Sequence, residues 1–559
     1  MLDQDLSIAL GSPRFSDRRL AQLAADHGAL CAWREAFAQR GAQAACGVTG
    51  DFAVGLTTTD GRSFLAVDRF AIRSLCYRVQ NGQLHFAPRA DALAATSTGA
   101  EIDPQAIYDY LYFHVIPSPR TIYKGIFRLP PGHCAVFEHG QLSVSPYWVS
   151  EFIEHQSGHL PDLKADFRRL LRSAVAQQLE GHRPACFLSG GTDSSTIVGM
   201  AALASGEQVA SYSIGFDAAG YDEMAYAQLA ARHFKTDHHA YYVTPDDLVQ
   251  GIPRVAAHFD QPFGNSSALP AYYCAHLARQ DGVGKLLAGD GGDELFGGNT
   301  RYAKNKLFGF YEHVPTILQK GVLEPVLGSR SAATFALTRK AASYVEQARM
   351  PLPDRLQLVN LLLCLGDAEV LTPQLLAQCD AGAPLRLQQA VWHSTPQSSP
   401  LNRELAYDWR FTLAESDLPK VLGAASLAGI DVGFPMLDDG LLAFSQRLPS
   451  QHKLKGLQLR WFFKEALRDF LPPEILTKKK QGFGLPFGVW ANAHPPLKKL
   501  ASDSLYALVE RGVVRPDFVH TLLTQRLAQH PGYFGEMVWI LMMLSQWLSA
   551  KAPGYHLAR

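Results

Sequence analysis

The chain has no excess of either charge: 52 lysines and arginines balance 52 aspartates and glutamates. Nucleic acids are bound through surplus cations, so this balance gives no electrostatic case for DNA or RNA as a main partner. Cysteine is sparse, eight in 559 residues, with no C-x-x-C pair and no zinc-ligand spacing. Reduced, mostly buried thiols are therefore expected, as in a cytosolic protein. No run approaches the ~20 apolar residues of a membrane helix. The most apolar late stretch, residues 538–548, is broken by Ser545 and Gln546 and reads as a buried C-terminal helix. The opening Met1-Leu2-Asp3-Gln4-Asp5 lacks the basic-then-apolar plan of a signal peptide, so the expectation is a cytoplasmic protein without membrane contact. Internal repeats and low-complexity tracts are also missing. What is present, 47% hydrophobic and 19% charged residues, describes a globular chain too long for one core.

Two regions differ in pattern. Residues 1–155 are strand-rich, with short segments such as 51–56 and 63–67. The turn-rich residues 155–161 read as a linker. A second region, 160–559, opens on an amphipathic helix that places Leu163, Phe167, Leu170, Leu171, Val175 and Leu179 on one face. Strand candidates at 186–188, 209–214 and 285–288 then alternate with helical patterns, which predicts an α/β core over about 180–300 with a parallel, doubly wound sheet. In such sheets the ligand sits at the strands' C-terminal ends. Residues 300–559 read as mostly helical.

Three motifs carry chemistry. The apolar run ending at Leu188 leads into Ser189-Gly190-Gly191-Thr192-Asp193-Ser194-Ser195. Glycines let a backbone approach an anion, the helix opening at Thr196 aims its amides outward, and the serines add hydroxyl donors. No Gly-Lys-Ser/Thr follows, so this is not a Walker loop. A second glycine-rich turn, Gly289-Asp290-Gly291-Gly292-Asp293-Glu294, ends the strand at 285–288. Magnesium prefers one or two carboxylates plus phosphate oxygens, and Asp193 with Asp293 would supply them. The third motif, Lys478-Lys479-Lys480-Gln481-Gly482-Phe483-Gly484, reads as a basic loop able to fold over phosphates.

The first motif resembles the pyrophosphate loop of enzymes that split ATP between its α and β phosphates. With Ser213-Ile214-Gly215-Phe216, Asp260-Gln261-Pro262-Phe263, Ser266-Ser267 and residues 289–298, the chain resembles the asparagine synthetase (glutamine-hydrolysing) family nearly end to end. That family also contains β-lactam synthetases, carbapenam synthetases and lasso-peptide cyclases. The resemblance implies an N-terminal Ntn-hydrolase-like αββα domain and a C-terminal pyrophosphate-loop domain with a helical extension. It further implies ATP and Mg2+, a carboxylate attacking the α-phosphorus, and an amine displacing AMP from the acyl-adenylate. By position, Asp290 matches the acid that takes a proton from the nucleophile, and Lys480 the lysine that stabilises phosphate charge. Leu188, Ser189, Gly190, Gly191, Asp193, Ser194, Ser195, Ser213, Ile214, Gly215, Gly289 and Asp290 are the implied nucleotide-binding residues. Ser266, Ser267, Asp431 and Gly433 are the implied substrate pocket. A small-molecule or peptide carboxylate, ammonia or another amine, and a second copy of the chain are the implied partners.

Two departures qualify this. The family's N-terminal domain begins Met-Cys-Gly, whereas here Leu2 follows Met1 and the first cysteine is Cys31. The first strand of that domain is thus expected to be missing and its glutaminase inactive, through true loss or a truncated gene model. Neither Cys31 nor Cys46 has a recognisable activating base nearby in sequence. Second, where the family carries Lys-Val-Asp-Arg and, further on, Glu-x-Arg, this chain has Lys420-Val421-Leu422-Gly423 and Asp431-Val432-Gly433. Arginine suits carboxylate recognition through its fork, so the loss of both points to an acyl substrate other than aspartate. Ammonia-dependent amidation, lactam or peptide closure, and amidation of another carboxylated metabolite stay open, as does asparagine synthesis itself. A tRNA-modifying enzyme sharing the loop fits poorly with zero net charge and no catalytic cysteine pair. A silent scaffold fits poorly with the retention of Asp193, Asp293 and Lys480.

Overall fold

The computed structural model describes residues 7–96, 100–154, 158–218, 220–312, 344–395, 398–478 and 484–557. It is a mixed α/β structure. The N-terminal part is built on an antiparallel sheet whose strands lie in chain order: β1 (Ile8–Gly11), β2 (Phe52–Thr57), β3 (Ser63–Val67), β4 (His133–Glu138) and β5 (Gln141–Pro146). β1 sits where the sequence led us to expect no strand. Ile8 and Leu10 alternate with Ala9 and pack into the sheet's core, and Leu10 pairs with Ala53. β2 and β3 are covered on both faces, which explains their nearly unbroken apolar sequences. Helices α1 (Arg18–His27) and α2 (Ala29–Arg40) lie on one face, where Trp33 and Phe37 meet Phe52 and Phe64. A three-stranded sheet, Cys76–Gln80 with Gln83–Ala87 and Phe127–Arg128, covers the other through Leu75, Tyr77, Phe86 and Leu129.

The expected linker is shorter than residues 155–161. Helix α3 (Leu160–Leu179) already contains Leu160 and Pro161, because proline in a first turn has no N–H that the helix needs. Its apolar stripe is the expected one: Phe167, Leu171, Val175 and Leu179 are buried, with Leu163 and Leu170 at its margin.

α3 packs on a five-stranded parallel sheet made of β6 (Ala185–Phe187), β7 (Ala210–Phe216), β8 (Asp237–Val243), β9 (Lys285–Leu287) and β10 (Asp431–Gly433), in the order β8-β7-β6-β9-β10. The chain winds outward from β6 in one direction and then returns to lay β9 on its other side. The topological switch point thus falls between β6 and β9, the place where open parallel sheets leave a crevice beyond their strand ends. Both glycine-rich loops leave from these two strands. Among the helices that flank them are α4 (Thr192–Ser205), α5 (Met224–Phe234), α6 (Pro245–His258), α7 (Ala268–Gln280) and α8 (Leu418–Ala428). The last long helix, α9 (Pro531–Lys551), is buried almost along its length, from Met537 to Leu544 and again at Trp547 and Leu548. No helix among the described residues is long and apolar enough to cross a membrane.

Candidate active site

β6 ends with the Leu188 amide donating to the Tyr212 carbonyl at 2.8 Å, and the chain then turns into α4. Gly190 has φ +71°, and a Cβ there would overlap the backbone of Tyr226 and Ala227 on α5. Only glycine lets this turn lie so close to the next helix. Gly191 occupies the cap position and brings no side chain to close the first helical turn, so that turn presents unsatisfied amides. Ser194, expected as a phosphate donor, also shapes the loop: its Oγ accepts from the Ser189 amide at 3.1 Å and lies 2.9 Å from Ser189 Oγ.

The loop after β9 interlocks with the first. A Cβ at Gly289 would lie 2.8 Å from the Ser194 amide nitrogen, and one at Gly292 would overlap the Asp193 carboxylate. This contact brings Asp193 and Asp293 together across the switch point. Both are held by Arg460, whose Nη1 donates to Asp193 at 2.8 Å and to Asp293 at 2.9 Å, while Nη2 also contacts Asp193. Arg460 is only 6% exposed, stands over the Phe463 ring at 4.1 Å and adopts φ +56°. No motif drew attention to it, because it lies 167 residues beyond Asp293 in an ordinary-looking Leu-Arg-Trp.

A second cluster adjoins this one. Lys420 donates to Asp417 at 3.0 Å and lies 3.4 Å from Asp290. Burial raises the Asp290 carboxyl above its ordinary range; Lys420 pulls against that and Asp417 adds to it. Burial also works to lower the Lys420 ammonium, but Asp417 and Asp290 outweigh it and hold its pKa above the usual lysine value. Glu294, beside Asp293 and Asp417, is raised well above the carboxylate range, chiefly by burial.

Leu188, Ser189, Asp193, Ser194, Ile214, Gly289, Asp290 and Asp293 line one cavity of about 330 Å³, together with Tyr212, Cys274 and Lys420. Five expected nucleotide residues do not line it. Gly190 and Gly191 form the turn behind it, Ser213 donates to the Leu188 carbonyl inside the sheet, and Gly215 lies against the Tyr242 ring. Ser195 is fully buried and its hydroxyl has no partner. A larger cavity of about 660 Å³ shares Ala271, Asp417 and Lys420 with the first and contains Ser266 and Ser267. The expected substrate pocket therefore divides: Asp431 and Gly433 line a separate cavity of about 230 Å³ between the N-terminal sheet and the parallel sheet, with Arg73 and Lys285. Asp431 starts β10, at the end opposite the glycine loops.

Lys480 lies outside the described residues. Lys478, at the start of that lysine run, is buried, pairs with Glu223 at 2.7 Å and sits over the Tyr226 ring at 4.5 Å. Since Tyr226 also abuts Gly190, the run begins beside the first glycine loop. At the two positions where arginines were expected, a neighbouring side chain crowds the backbone. A Cβ at Gly423 would overlap the Phe259 ring, and one at Gly433 would overlap Gln178 Oε1. In the N-terminal part, Cys31 is exposed on α2, and Cys46 Sγ donates to Gln43 Oε1 at 2.9 Å and to the Tyr147 carbonyl at 3.8 Å.

A parallel sheet with two interlocked glycine loops at its switch point, acids facing across them and a second cavity alongside, is of the class that binds a ligand beyond its strand ends. Comparison with known proteins gives this class its family. Residues 166–549 match the asparagine synthase family model, and residues 32–148 match the glutamine amidotransferase domain. The chain is 24% identical over 495 residues to asparagine synthetase [glutamine-hydrolyzing] 1 of Bacillus subtilis, covering 87% of this chain and 74% of that one. It is 28% identical over 253 residues to asparagine synthetase [glutamine-hydrolyzing] 3 of the same organism, covering 42% and 41%. A match of 27% over 269 residues, covering 44% and 40%, is to amidase chyE of Penicillium rubens. The chain belongs to the asparagine synthase family. It is an ATP-dependent amide synthetase, a ligase that forms C–N bonds.

Proposed function

We propose that the enzyme adenylates a carboxylic acid, releasing pyrophosphate, and then joins the acyl group to ammonia or an amine, releasing AMP. The observation that carries this reading is the juxtaposition of the two glycine loops, Asp193 and Asp293, with the Asp290–Lys420–Asp417 cluster next to them. In this reading the triphosphate lies along the loop at residues 189–195, with its α-phosphorus toward the larger cavity. The first-turn amides of α4 and the Ser189 and Ser194 hydroxyls would bind its oxygens. Asp193 and Asp293, which Arg460 also pairs, would hold Mg2+, an ion that takes one or two carboxylates and its remaining ligands from phosphate and water. Bound there, the ion would neutralise the departing pyrophosphate. Asp290, with its carboxyl raised by burial, would take the proton that the amine loses as its nitrogen bonds to the acyl carbon. Lys420 holds Asp290 in place and keeps its carboxylate form accessible.

The same reading has ammonia or amine arriving without the enzyme's own glutaminase. Cys31 and Cys46 have no basic partner among the contacts described above, and a thiol nucleophile needs one. Release of ammonia from glutamine by the purified protein would overturn that point alone. ATP–pyrophosphate exchange across a panel of carboxylates tests the whole. Carboxylate-dependent exchange, abolished in Asp193→Ala, is expected; pyrophosphate release without any exchange or AMP would refute it.

A further inference from the structure

We propose that the larger cavity receives a monocarboxylic acid bigger than aspartate whose far end carries a basic amine, taken up by Glu536. This rests on the adenylation reading and names its acyl substrate.

Size is the first argument. The cavity of about 660 Å³ falls within the ~300–1,000 Å³ of sites that enclose drug-sized ligands. A short dicarboxylate would leave most of it to water. Charge is the second. Among the described residues lining the cavity, Lys420 is the sole lysine or arginine, and its ammonium already lies between Asp417 and Asp290. Among the described residues a second substrate carboxylate would meet no guanidinium fork there and would face Glu536. Glu536 is the third. It projects from the second turn of α9, and His114 Nδ1, the nearest basic nitrogen among the described residues, lies 3.6 Å away. Burial pulls the His114 pKa down to about 4, so the imidazole is neutral at pH 7 and does not offset Glu536, whose own carboxyl burial raises above its ordinary range. Finally, His114 Nε2 and Trp539 Nε1 belong to cavity-lining residues, are buried, and have no hydrogen-bond partner. Buried polar atoms rarely stay unpaired, and a ligand with polar groups along its body supplies what they lack. Tyr221 and Phe487 give the aliphatic part an aromatic wall.

The test uses the full chain with ATP, Mg2+ and pyrophosphate exchange. Its probes are aspartate, glutamate, lysine, ornithine and glycyl-lysine, each below saturation. Exchange at least tenfold faster with the basic acids is expected. Glu536→Gln should raise their KM about fivefold, the size of an exposed ion pair, with the KM for ATP unchanged. Glu536→Arg should shift preference toward glutamate. Fastest exchange with aspartate or glutamate overturns the assignment and leaves adenylation standing, as does a basic preference that Glu536→Gln does not weaken. No exchange with any probe while ATP still binds overturns it too. Loss of ATP binding itself would instead remove the adenylation reading beneath it.

Discussion

Arg460 offers the sharpest perturbation, because one side chain holds together the two loops that make the site. Its Nη1 lies within 3 Å of both Asp193 and Asp293, and its 6% exposure leaves little water to screen the carboxylates once it is gone. Replacing it by methionine keeps most of the stem over Phe463 but removes the charge. Breaking a buried ion pair from one side costs about 3–5 kcal/mol, mainly from the carboxylates left unpaired. At ~2–4 °C per kcal/mol for a mid-sized domain, and less for a larger one, Arg460→Met should lower Tm by roughly 5 °C or more. The reasoning makes a second demand. If the damage is carboxylate repulsion, then adding Asp293→Asn should restore part of the lost stability, and millimolar Mg2+ should raise the Tm of Arg460→Met more than that of the parent. Arg460→Lys should fall between, since an ammonium cannot fork to two carboxylates. Differential scanning fluorimetry of the parent, these three variants and Asp293→Asn alone, with and without Mg2+, decides it. A Tm within 1 °C of the parent, or a double variant as unstable as the sum of its parts, would refute the account.

Three further outcomes follow from other residues. Asp290→Asn should lower kcat for amide formation by ~10²–10⁴. In the parent, activity should rise with pH through a value above the ordinary carboxyl range, and Lys420→Met should move that limb higher still, because the stabilising cation is lost; pH–rate profiles read both. Lys453 is fully buried, donates to Asn402 Oδ1 at 3.0 Å and stands over the Phe152 ring, and burial, opposed in part by Glu154, pulls its pKa down to about 7. The unfolded chain binds the extra proton between about pH 7 and ~10.4, so stability should climb across that window by up to 1.36 kcal/mol per unit, and Lys453→Met should flatten the slope in pH-dependent melts. Gly423→Arg, which restores the family's usual residue, should not restore aspartate use. It should cost at least ~1–3 kcal/mol by overpacking against Phe259, measured by urea melts alongside aspartate-dependent exchange.

The parts of the fold legible in the sequence were those with local signals. The α3 stripe, the strands leading to both glycine loops and the buried C-terminal helix all announce themselves within a dozen or so neighbouring residues. Asp193, Asp290 and Asp293 were found for the same reason: each sits in a short, unusual run of glycines and acids. Arg460 and Asp417 carry no such mark, and their roles arise only when distant segments meet at the switch point. Burial was equally invisible. Ser195 and Ser213 belong to the right motifs but turn into the sheet, because alternate strand residues and helix faces send neighbours in opposite directions.

Asp431 and Gly433 show a subtler failure. They were read as pocket residues because the family has charged groups at those positions, and their distance from the glycine loops depends on which end of β10 is counted. Gly433 ends that strand and pairs with Leu287, and Gln178 of α3 stands where its side chain would begin, at the wall of the separate cavity. Gly423 is likewise filled by Phe259, itself stacked on Phe263 at 4.5 Å. At both positions a neighbouring side chain now stands where the arginine's first side-chain carbon would lie. On the substrate proposal above, recognition would rest instead on α9, where Glu536 brings the opposite charge to the larger cavity. A change of substrate class would account together for the loss of both arginines and for the acid on α9.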